Sequence, residues 1–377
     1  MLVDVAESRY DRQERIWWWD QDRLRDSRVL VVGAGALGNE IVKNLVLVGV
    51  GRIDIVDMDN IENSNLSRCV FFTAADQGRP KAEVLAGAAG RLNSEVQVTA
   101  LVNRVQALGS ASLLEYDLVI AGLDNREARL WINSACRKFG LYWIDGAIEG
   151  LQGLARVFGP EGPCYECTLS EADLANLAHR RSCALLAPED LDLGRTPTNA
   201  TTSSIVAGVE AQEAIKLLVG REDLVALSGK VWRLEGETML TSVIEYTEDA
   251  NCMAHDRVTV DPIEIRLSEL SEWIGSRAIG PDPLLAVDMA DDLIHIEECE
   301  TCGSGLGMLG LRSMIPLGAG RCEHCQSDLP VQSRTSLEPG HPWLGDALRV
   351  AQWPAAEIVG ARFGDRTEFV VVRGEVH

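Results

Sequence analysis

From Arg28 onward, short apolar runs alternate with segments whose apolar residues recur at helical spacing. "RVLVVGAGALGNEIVKNLVLVGVGRIDIVDMD" reads as a β-rich run, a glycine turn, a helix and a second β-rich run that ends in Asp57 and Asp59. Strand side chains alternate between faces whereas helical ones recur every 3.6 residues, so this pattern predicts a βαβ unit. The alternation continues with a helix from Pro80 to Leu92, a strand from Val96 to Leu101 and an apolar run from Leu118 to Ala121 that ends in "GLDN". A helix through Phe139 and strands across "YWIDGAIEGLQGLARVFG" follow. "TTSSIVAGVEAQEAIKLLVG" is a further helix, opened by Thr and Ser and closed by Gly220. Strands that alternate with helices predict a mixed, mostly parallel sheet with helices on both faces. Ahead of this, residues 1–27 read as a polar, aromatic-studded helical arm containing "RIWWWDQDRLR".

The pattern shifts near residues 256–262. Beyond it lie a strand-like "PIEIRL", the segment "CETC…CEHC", a Pro/Gly-rich turn at "LEPGHPW" and a final β-like "TEFVVVRG". Three parts follow: the arm 1–27, an α/β domain 28–257, and a smaller α+β domain 258–377. A chain of 377 residues is long enough for two to three units. The net charge of −22 excludes a nucleic-acid or anionic-membrane surface, because phosphate binding needs clustered Lys and Arg. No apolar run approaches the roughly 18 residues that span a bilayer, and "MLVDVAESRYDRQER" lacks a basic start followed by an apolar stretch. A soluble, cytoplasmic protein is therefore expected. In that reducing setting the ten cysteines, six of them in C-x-x-C pairs, read as metal ligands or reactive thiols.

"GAGALG" supplies Gly33, Gly35 and Gly38, and Asp57 stands 19 residues past the last glycine, at the end of the next strand. Such glycines let the backbone approach a phosphate, and the carboxylate can bond a ribose hydroxyl. Alone, this fits NAD, FAD or ATP. "DMDNIENSNLSRCVF" then adds Asp59, Asn65 and Arg68, "GRPKAE" adds Lys81, and "AGLDN" puts Asp124 at the carboxyl end of a later strand. Ligands of open α/β sheets bind at that edge. Arg68 and Lys81 could neutralise a triphosphate while Asp124 holds Mg²⁺, none of which a hydride-transfer enzyme needs. The plainer reading is a set of surface charges beside a loop.

Taken together, "YDRQERIW", "GAGALG", "DMDNIENSNLSR", "GRPKAE", "GLDN", "PCYECTL" and "TTSSIVAGVEAQEAIKLL" stand in the order found in ubiquitin-activating enzymes. The bacterial adenylyltransferases that activate sulfur-carrier proteins share most of these motifs. Over residues 8–255 the chain thus resembles the ThiF–MoeB–HesA adenylyltransferase superfamily, and within it a compact bacterial activating enzyme. The resemblance implies a Rossmann-like adenylation domain that uses ATP and Mg²⁺ to adenylate the C-terminal carboxylate of a small ubiquitin-like protein ending in glycine. By position, Asp57 would bind the ribose, Asn65, Arg68 and Lys81 the phosphates, and Asp124 the magnesium. Arg12, with Arg15 as helper, would enter the partner subunit's ATP site, which implies a homodimer. Cys69 stands where the family commonly has Gln, a local packing difference, and Cys136 reads as core.

In the same superfamily a pair such as Cys164 and Cys167 meets a second pair after the main domain. Here "NCMAH" stands at that place, so Cys252 and His255 would complete a Cys₃His zinc site of structural kind. The rival is pairing with a later knuckle. "CETC" and "CEHC" are separated by 19 residues, the spacing of a self-contained zinc ribbon over 299–325. Cys299, Cys302, Cys322 and Cys325 would hold a second zinc, with His324 a bystander.

Cys183, in "HRRSCALLAPED", lies on the crossover 168–200, where ubiquitin-activating enzymes place their thioester-forming cysteine. Arg180 and Arg181 would favour its thiolate. The plain alternative is a buried spare thiol. The expected function is activation of a ubiquitin-like protein, thioester formation on Cys183, and transfer to a conjugating enzyme. The alternatives are a sulfur-carrier adenylyltransferase without thioester transfer and an inactive scaffold that binds a ubiquitin-like protein.

Overall fold

The computed structural model describes residues 8–170, 172, 197–260, 263–277, 282–305, 307–316, 318–344 and 352–374. They form two compact units. The first gathers described residues within 8–105, 114–168 and 197–256, and the second gathers 106–113, 169, 170 and 172 with those from 257 on.

The first unit is built on eight strands: β1 (Arg28–Val32), β2 (Arg52–Val56), β3 (Gln97–Leu101), β4 (Leu118–Ala121), β5 (Trp143–Glu149), β6 (Gln152–Phe158), β7 (Lys230–Glu235) and β8 (Leu240–Glu245). Their order is β3-β2-β1-β4-β5-β6-β7-β8. The pairings from β3 to β5 are parallel and those from β5 to β8 antiparallel. Chain order reverses across β1, which lies between β2 and β4, and that reversal opens a crevice at the carboxyl ends of the strands. The central strands are mostly apolar because both of their faces are covered, as Val29–Val32 of β1, all buried, illustrate. Helices Ala36–Val48, Lys81–Leu92, Arg126–Phe139 and Ala200–Leu218 supply that cover.

The β5–β6 hairpin sets Trp143 opposite Phe158, stacked with centroids 4.9 Å apart, and the Tyr165 ring stands edge-on to both. All three rings are buried, which fixes the chain just beside Cys164. Truncating either large ring to Ala would cost about 3–5 kcal/mol.

The opening segment departs from the helical arm expected of it. Its described part is turns as far as Trp18, followed by a short helix, Gln21–Asp26, which Asp20 caps by accepting from the Arg23 N–H. Trp18 and Trp19 pack on the core while Trp17 is exposed; three consecutive tryptophans cannot share one helical face. Among the described residues no helix is long and apolar enough to cross a membrane.

The second unit carries β9 (Glu264–Arg266), helix Leu270–Arg277, β10 (Leu284–Ile296), β11 (Met308–Leu311), β12 (Val331–Leu337), β13 (Ala356–Phe363) and β14 (Arg366–Arg373). The strands form a sheet of order β11-β10-β13-β14-β9, with β12 also paired to β10. Leu267, Trp273, Val287, Leu293, Phe363 and Val370 belong to its core. Residues 106–113 lie between β3 and β4 in sequence yet group with this unit. There the Ser110 N–H and hydroxyl both donate to the buried Glu357 carboxylate, and the Ala355 N–H donates to the Ala107 carbonyl.

Candidate nucleotide and metal sites

The register of the first sheet brings the expected nucleotide residues to one edge. Val32 pairs with Val56 on one side and Ala121 on the other, and the ladder runs one step further: the Gly33 N–H donates to Val56 O, and the Gly122 N–H to Val32 O. Gly33, Asp57 and Gly122 thus stand level on three adjacent strand ends, with Asp124 two residues on. Strands are spaced by about 4.8 Å, so Asp57 and Gly122 flank Gly33 across roughly 10 Å.

Within "GAGALG" the glycines play different parts. Gly33 has φ +100°, and a Cβ there would lie 2.7 Å from the Gly122 carbonyl oxygen. A Cβ on Gly38 would run into the Gly33 carbonyl. Both are required by the close approach of turn and helix. Gly35, with φ −76°, would place a Cβ with nothing within 4 Å. It leaves open space at the N-terminus of helix Ala36–Val48, where no side chain caps the first-turn N–H groups. Unspent N–H groups and the positive end of a helix dipole at an open surface suit a phosphate.

Asp57 holds this turn from the side: its Oδ2 accepts from the Ala34 N–H at 2.7 Å and its Oδ1 from the Asp59 N–H at 2.8 Å. Burial pushes its carboxyl above the usual range, against those two bonds and Lys81. Lys81 begins the helix Lys81–Leu92 and reaches the exposed Asp59 carboxylate at 2.8 Å. Its own burial works to lower its pKa, and the Asp59 and Asp57 carboxylates more than reverse that. Asn65 is buried, its side-chain oxygen accepting from the Glu62 N–H at 2.8 Å, so it shapes the loop that carries Arg68. Arg68 itself donates to Ser64 O at 2.6 Å. Asp124 is exposed on the loop after β4, next to Asn125, which caps helix Arg126–Phe139.

Arg12 and Arg15 are exposed in the opening segment, Arg15 pairing with Asp11 at 2.6 Å. Cys183 and most of the crossover lie outside the described residues. Cys69 packs in the core of the first unit, where burial pushes its thiol up to about 11. Cys136 is buried, as expected.

Cys164, Cys167, Cys252 and His255 converge in the first unit, and Cys299, Cys302, Cys322 and Cys325 in the second. In the first group Cys164 Sγ lies 3.8 Å from Cys167 Sγ and 3.7 Å from Cys252 Sγ, and Cys167 Sγ lies 3.3 Å from His255 Nε2. In the second, Cys299–Cys325 and Cys302–Cys322 are separated by 3.5 and 3.6 Å. Four thiolates around zinc, each at about 2.3 Å, stand roughly 3.8 Å apart at tetrahedral corners, and an imidazole edge is slightly shorter. Both donor sets fit zinc, and four protein ligands leave no open coordination position. His324 is exposed and outside the second group.

Three features were not foreseen from the sequence. His255 Nδ1 faces the Glu248 carboxylate at 3.4 Å, which leaves Nε2 towards the cluster. Ser304 and Ser327 hydroxyls lie among the thiols of the second cluster. Under β5, Asp145 is fully buried between Arg129 and Arg156, beside Glu210, whose two carboxyl oxygens have no hydrogen-bond partner. Burial first, and then the Asp145 charge, push the Glu210 carboxyl well above its usual range. Glu210 could have been noticed in the sequence: it falls among Val206, Ala207, Ala211 and Ala214 on the buried face of its helix.

An open mixed sheet whose parallel part carries, at its reversal point, a glycine turn, an acidic strand end and a helix-borne lysine defines a nucleotide-binding α/β protein. The chain belongs to the ThiF family, whose model matches residues 10–254. It is 34% identical over 251 residues to the SAMP-activating enzyme E1 of Haloferax volcanii, covering 65% of this chain and 86% of that protein. It is 35% identical over 213 residues to the sulfur carrier protein adenylyltransferase of Thermus thermophilus, covering 53% of this chain and 72% of that one. A NEDD8-activating enzyme E1 catalytic subunit of Dictyostelium discoideum is 41% identical over 161 residues, which cover 38% of this chain and 36% of that one. A crystal structure of E. coli MccB with ATP shares the fold, with TM-score 0.55 and 22% identity over 67% of this chain and 75% of that one.

Proposed function

We propose that this chain uses ATP and Mg²⁺ to adenylate the C-terminal carboxylate of a small ubiquitin-like or sulfur-carrier protein. The observation that carries the reading is the level alignment of Gly33, Asp57 and the Gly122–Asp124 loop on three adjacent strand ends, with Lys81 at their side. Asp57 takes the ribose hydroxyls, the first-turn N–H groups of helix Ala36–Val48 take phosphate oxygens, and Lys81 and Arg68 meet the triphosphate. Lys81 exchanges its Asp59 partner for phosphate when ATP enters. Asp124 would hold magnesium, which would screen the triphosphate and the charge that develops on the leaving pyrophosphate.

The carboxylate oxygen attacks the α-phosphorus; that P–O bond forms as the bond to the β-phosphate oxygen breaks, and pyrophosphate leaves with the electron pair. The nucleophile is already ionised, so no general base is required. Electrostatic stabilisation of the pentacoordinate state is the main task, and removing one such group costs about 10²–10³ in rate.

Of the two carrier types, a ubiquitin-like modifier is the reading we adopt, supported by the extent of the Haloferax match and by the NEDD8-activating relatives. The Cys183 thiolate then attacks the acyl carbon, a C–S bond replaces the C–O bond, AMP leaves, and a conjugating enzyme receives the acyl group. The Thermus relative supports the second reading, a sulfur carrier without thioester transfer. A homodimer in which Arg12, assisted by Arg15, enters the partner's ATP site completes the proposal, and both cysteine clusters hold structural zinc.

The test is ATP–pyrophosphate exchange with candidate carrier proteins, followed by intact mass. Exchange that falls about 100-fold or more in Asp124→Asn supports adenylation. A thiol-sensitive adduct lost in Cys183→Ala, with exchange retained, supports thioester transfer. Exchange without any adduct selects the sulfur-carrier reading, and no exchange with any carrier overturns the proposal.

A further inference from the structure

Arg129 is a buried cation that the nucleotide reading leaves without a task. It sits in the first turn of helix Arg126–Phe139, and its guanidinium closes three bonds. Nε donates to Asp145 Oδ1 at 2.6 Å, and Nη2 donates to the carbonyl oxygens of Leu123 and, at 3.1 Å, Gly146. The acceptors belong to the loop just after β4 and to the middle of β5, since Ala121 of β4 is in register with Asp145 of β5. The Leu123 carbonyl is the peptide link directly before Asp124. Arg156 is the natural contrast: it too is buried and donates to Asp145, through Nε at 3.0 Å and through Nη2, but its guanidinium lies over the Phe158 and Tyr165 rings rather than at the loop.

We infer that Arg129 is a positioning residue for the magnesium-binding loop. It ties the carbonyl before Asp124 to Asp145 and Gly146 in the middle of β5 and so fixes the direction in which the Asp124 carboxylate is presented. A planar fork can meet a carboxylate and two carbonyls at once, whereas a lysine ammonium at the end of a flexible stem cannot hold that geometry. The inference rests on the proposed adenylation site and deepens it.

Arg129→Lys and Arg156→Lys separate positioning from mere stability, because both keep a cation beside Asp145. ATP binding by the full chain, without any carrier protein, is titrated by calorimetry at stepped Mg²⁺ concentrations. Both variants should lose thermal stability to a similar degree. In Arg129→Lys the Mg²⁺ needed for half-maximal tightening should rise roughly tenfold or more, the usual consequence of losing an outer support of a metal ligand. Metal-free ATP affinity should stay unchanged, and Arg156→Lys should remain close to wild type. An equal shift in both variants, or none in Arg129→Lys, overturns the inference while the nucleotide site stands. Wild-type protein that binds ATP with no response to Mg²⁺ overturns the site reading and the inference with it. If Arg129→Lys does not fold, Arg129→Gln set against Arg156→Gln carries the same comparison, because the shorter amide cannot bridge Asp145 and the Leu123 carbonyl at once.

Discussion

The two units assemble their chemistry by opposite routes. In the first, the Cys₃His cluster joins Cys164 to Cys252 across 88 residues of chain, and the nucleotide edge and the Asp145 network draw on separate strands and helices. In the second, the cluster spans Cys299 to Cys325, only 26 residues apart. Loop-closure entropy distinguishes the two clusters by only about 1 kcal/mol, because it grows with the logarithm of loop length. The difference therefore lies in what each ion would hold. The first pins the strand-to-crossover turn beside Trp143, Phe158 and Tyr165 to the end of the unit's chain, and the second pins one ribbon to itself.

The largest expected effect follows from that contrast. Cys167→Ser should destabilise the first unit by about 4 kcal/mol, the scale of losing a structural metal, which for a unit this size lowers Tm by roughly 8–16 °C. Limited proteolysis should open new sites across the β5–β6 hairpin and around 246–255. Cys322→Ser should confine new cleavage to the ribbon, 299–328. Diffuse cleavage in Cys322→Ser, or ribbon-like confinement in Cys167→Ser, would break the comparison.

A second pair of substitutions sharpens it within the nucleotide edge. Gly38→Ala puts a methyl into the Gly33 carbonyl and should cost about 2–3 kcal/mol of stability, as overpacking does. Gly35→Ala meets nothing and should cost only the loss of a glycine N-cap, about 0.5–1 kcal/mol, whereas the new methyl occupies the phosphate approach and ATP affinity should fall. Thermal melts and ATP titration read the two effects apart. Equal stability losses would contradict the distinct roles given to these glycines.

The same contrast explains what could be read in advance. β4 and helix Arg126–Phe139 coincide with the apolar run and helical period seen in the chain, because both are buried by neighbours that impose one period. Both cysteine clusters followed from C-x-x-C spacing and, for the first, from family order. β7 and β8 were not foreseen: β8 is exposed along its whole length, so no alternation of burial marks it. β10 hides its 13 residues behind an irregularity between Asp288 and Leu293, which interrupts the period of two. The grouping of 106–113 with the second unit depends on Glu357, some 250 residues away by sequence, and no local signal carries that. The arm is turns rather than helix as far as Trp18, because three consecutive tryptophans cannot share one helical face.

Glu210 supplies a smaller effect with a definite sign. Its folded-state pKa is raised above the ordinary 4.5, first by burial, so the protonated form is the one the fold favours. Stability from this group is fully present below pH 4.5 and is lost as pH rises through the folded pKa. Glu210→Gln removes that dependence. The variant should match wild type near pH 4 and exceed it increasingly towards pH 8 in urea titrations. Parallel pH profiles would mean that the Asp145 network already meets the Glu210 charge, and the first unit would then be less strained than its geometry indicates.

The smallest expected effects return to the two cysteine clusters, their proposed zinc ions and their supports. In the first cluster Glu248 faces His255 Nδ1 at 3.4 Å and also lies 3.6 Å from Arg137, so a carboxylate from one segment orients a ligand for a site shared by several. In the second the supports are local and paired. Ser304 Oγ lies 2.8 Å from Cys302 and 3.3 Å from Cys322, and Ser327 Oγ lies 3.0 Å from Cys325 and 3.2 Å from Cys299. Each hydroxyl thus sits between its own knuckle and the opposite one, and can donate to thiolate charge there. Glu248→Ala should loosen the first site about tenfold in competition with a chelator, since the histidine loses the partner that fixes its tautomer. Ser304→Ala and Ser327→Ala should each speed zinc release from the second site by only a few-fold, and by similar factors, because four thiolates remain and the two serines are equivalent by position. Unequal serine effects would mean that the ribbon is held from one side, and its self-contained character would then fail at the level of individual hydroxyls.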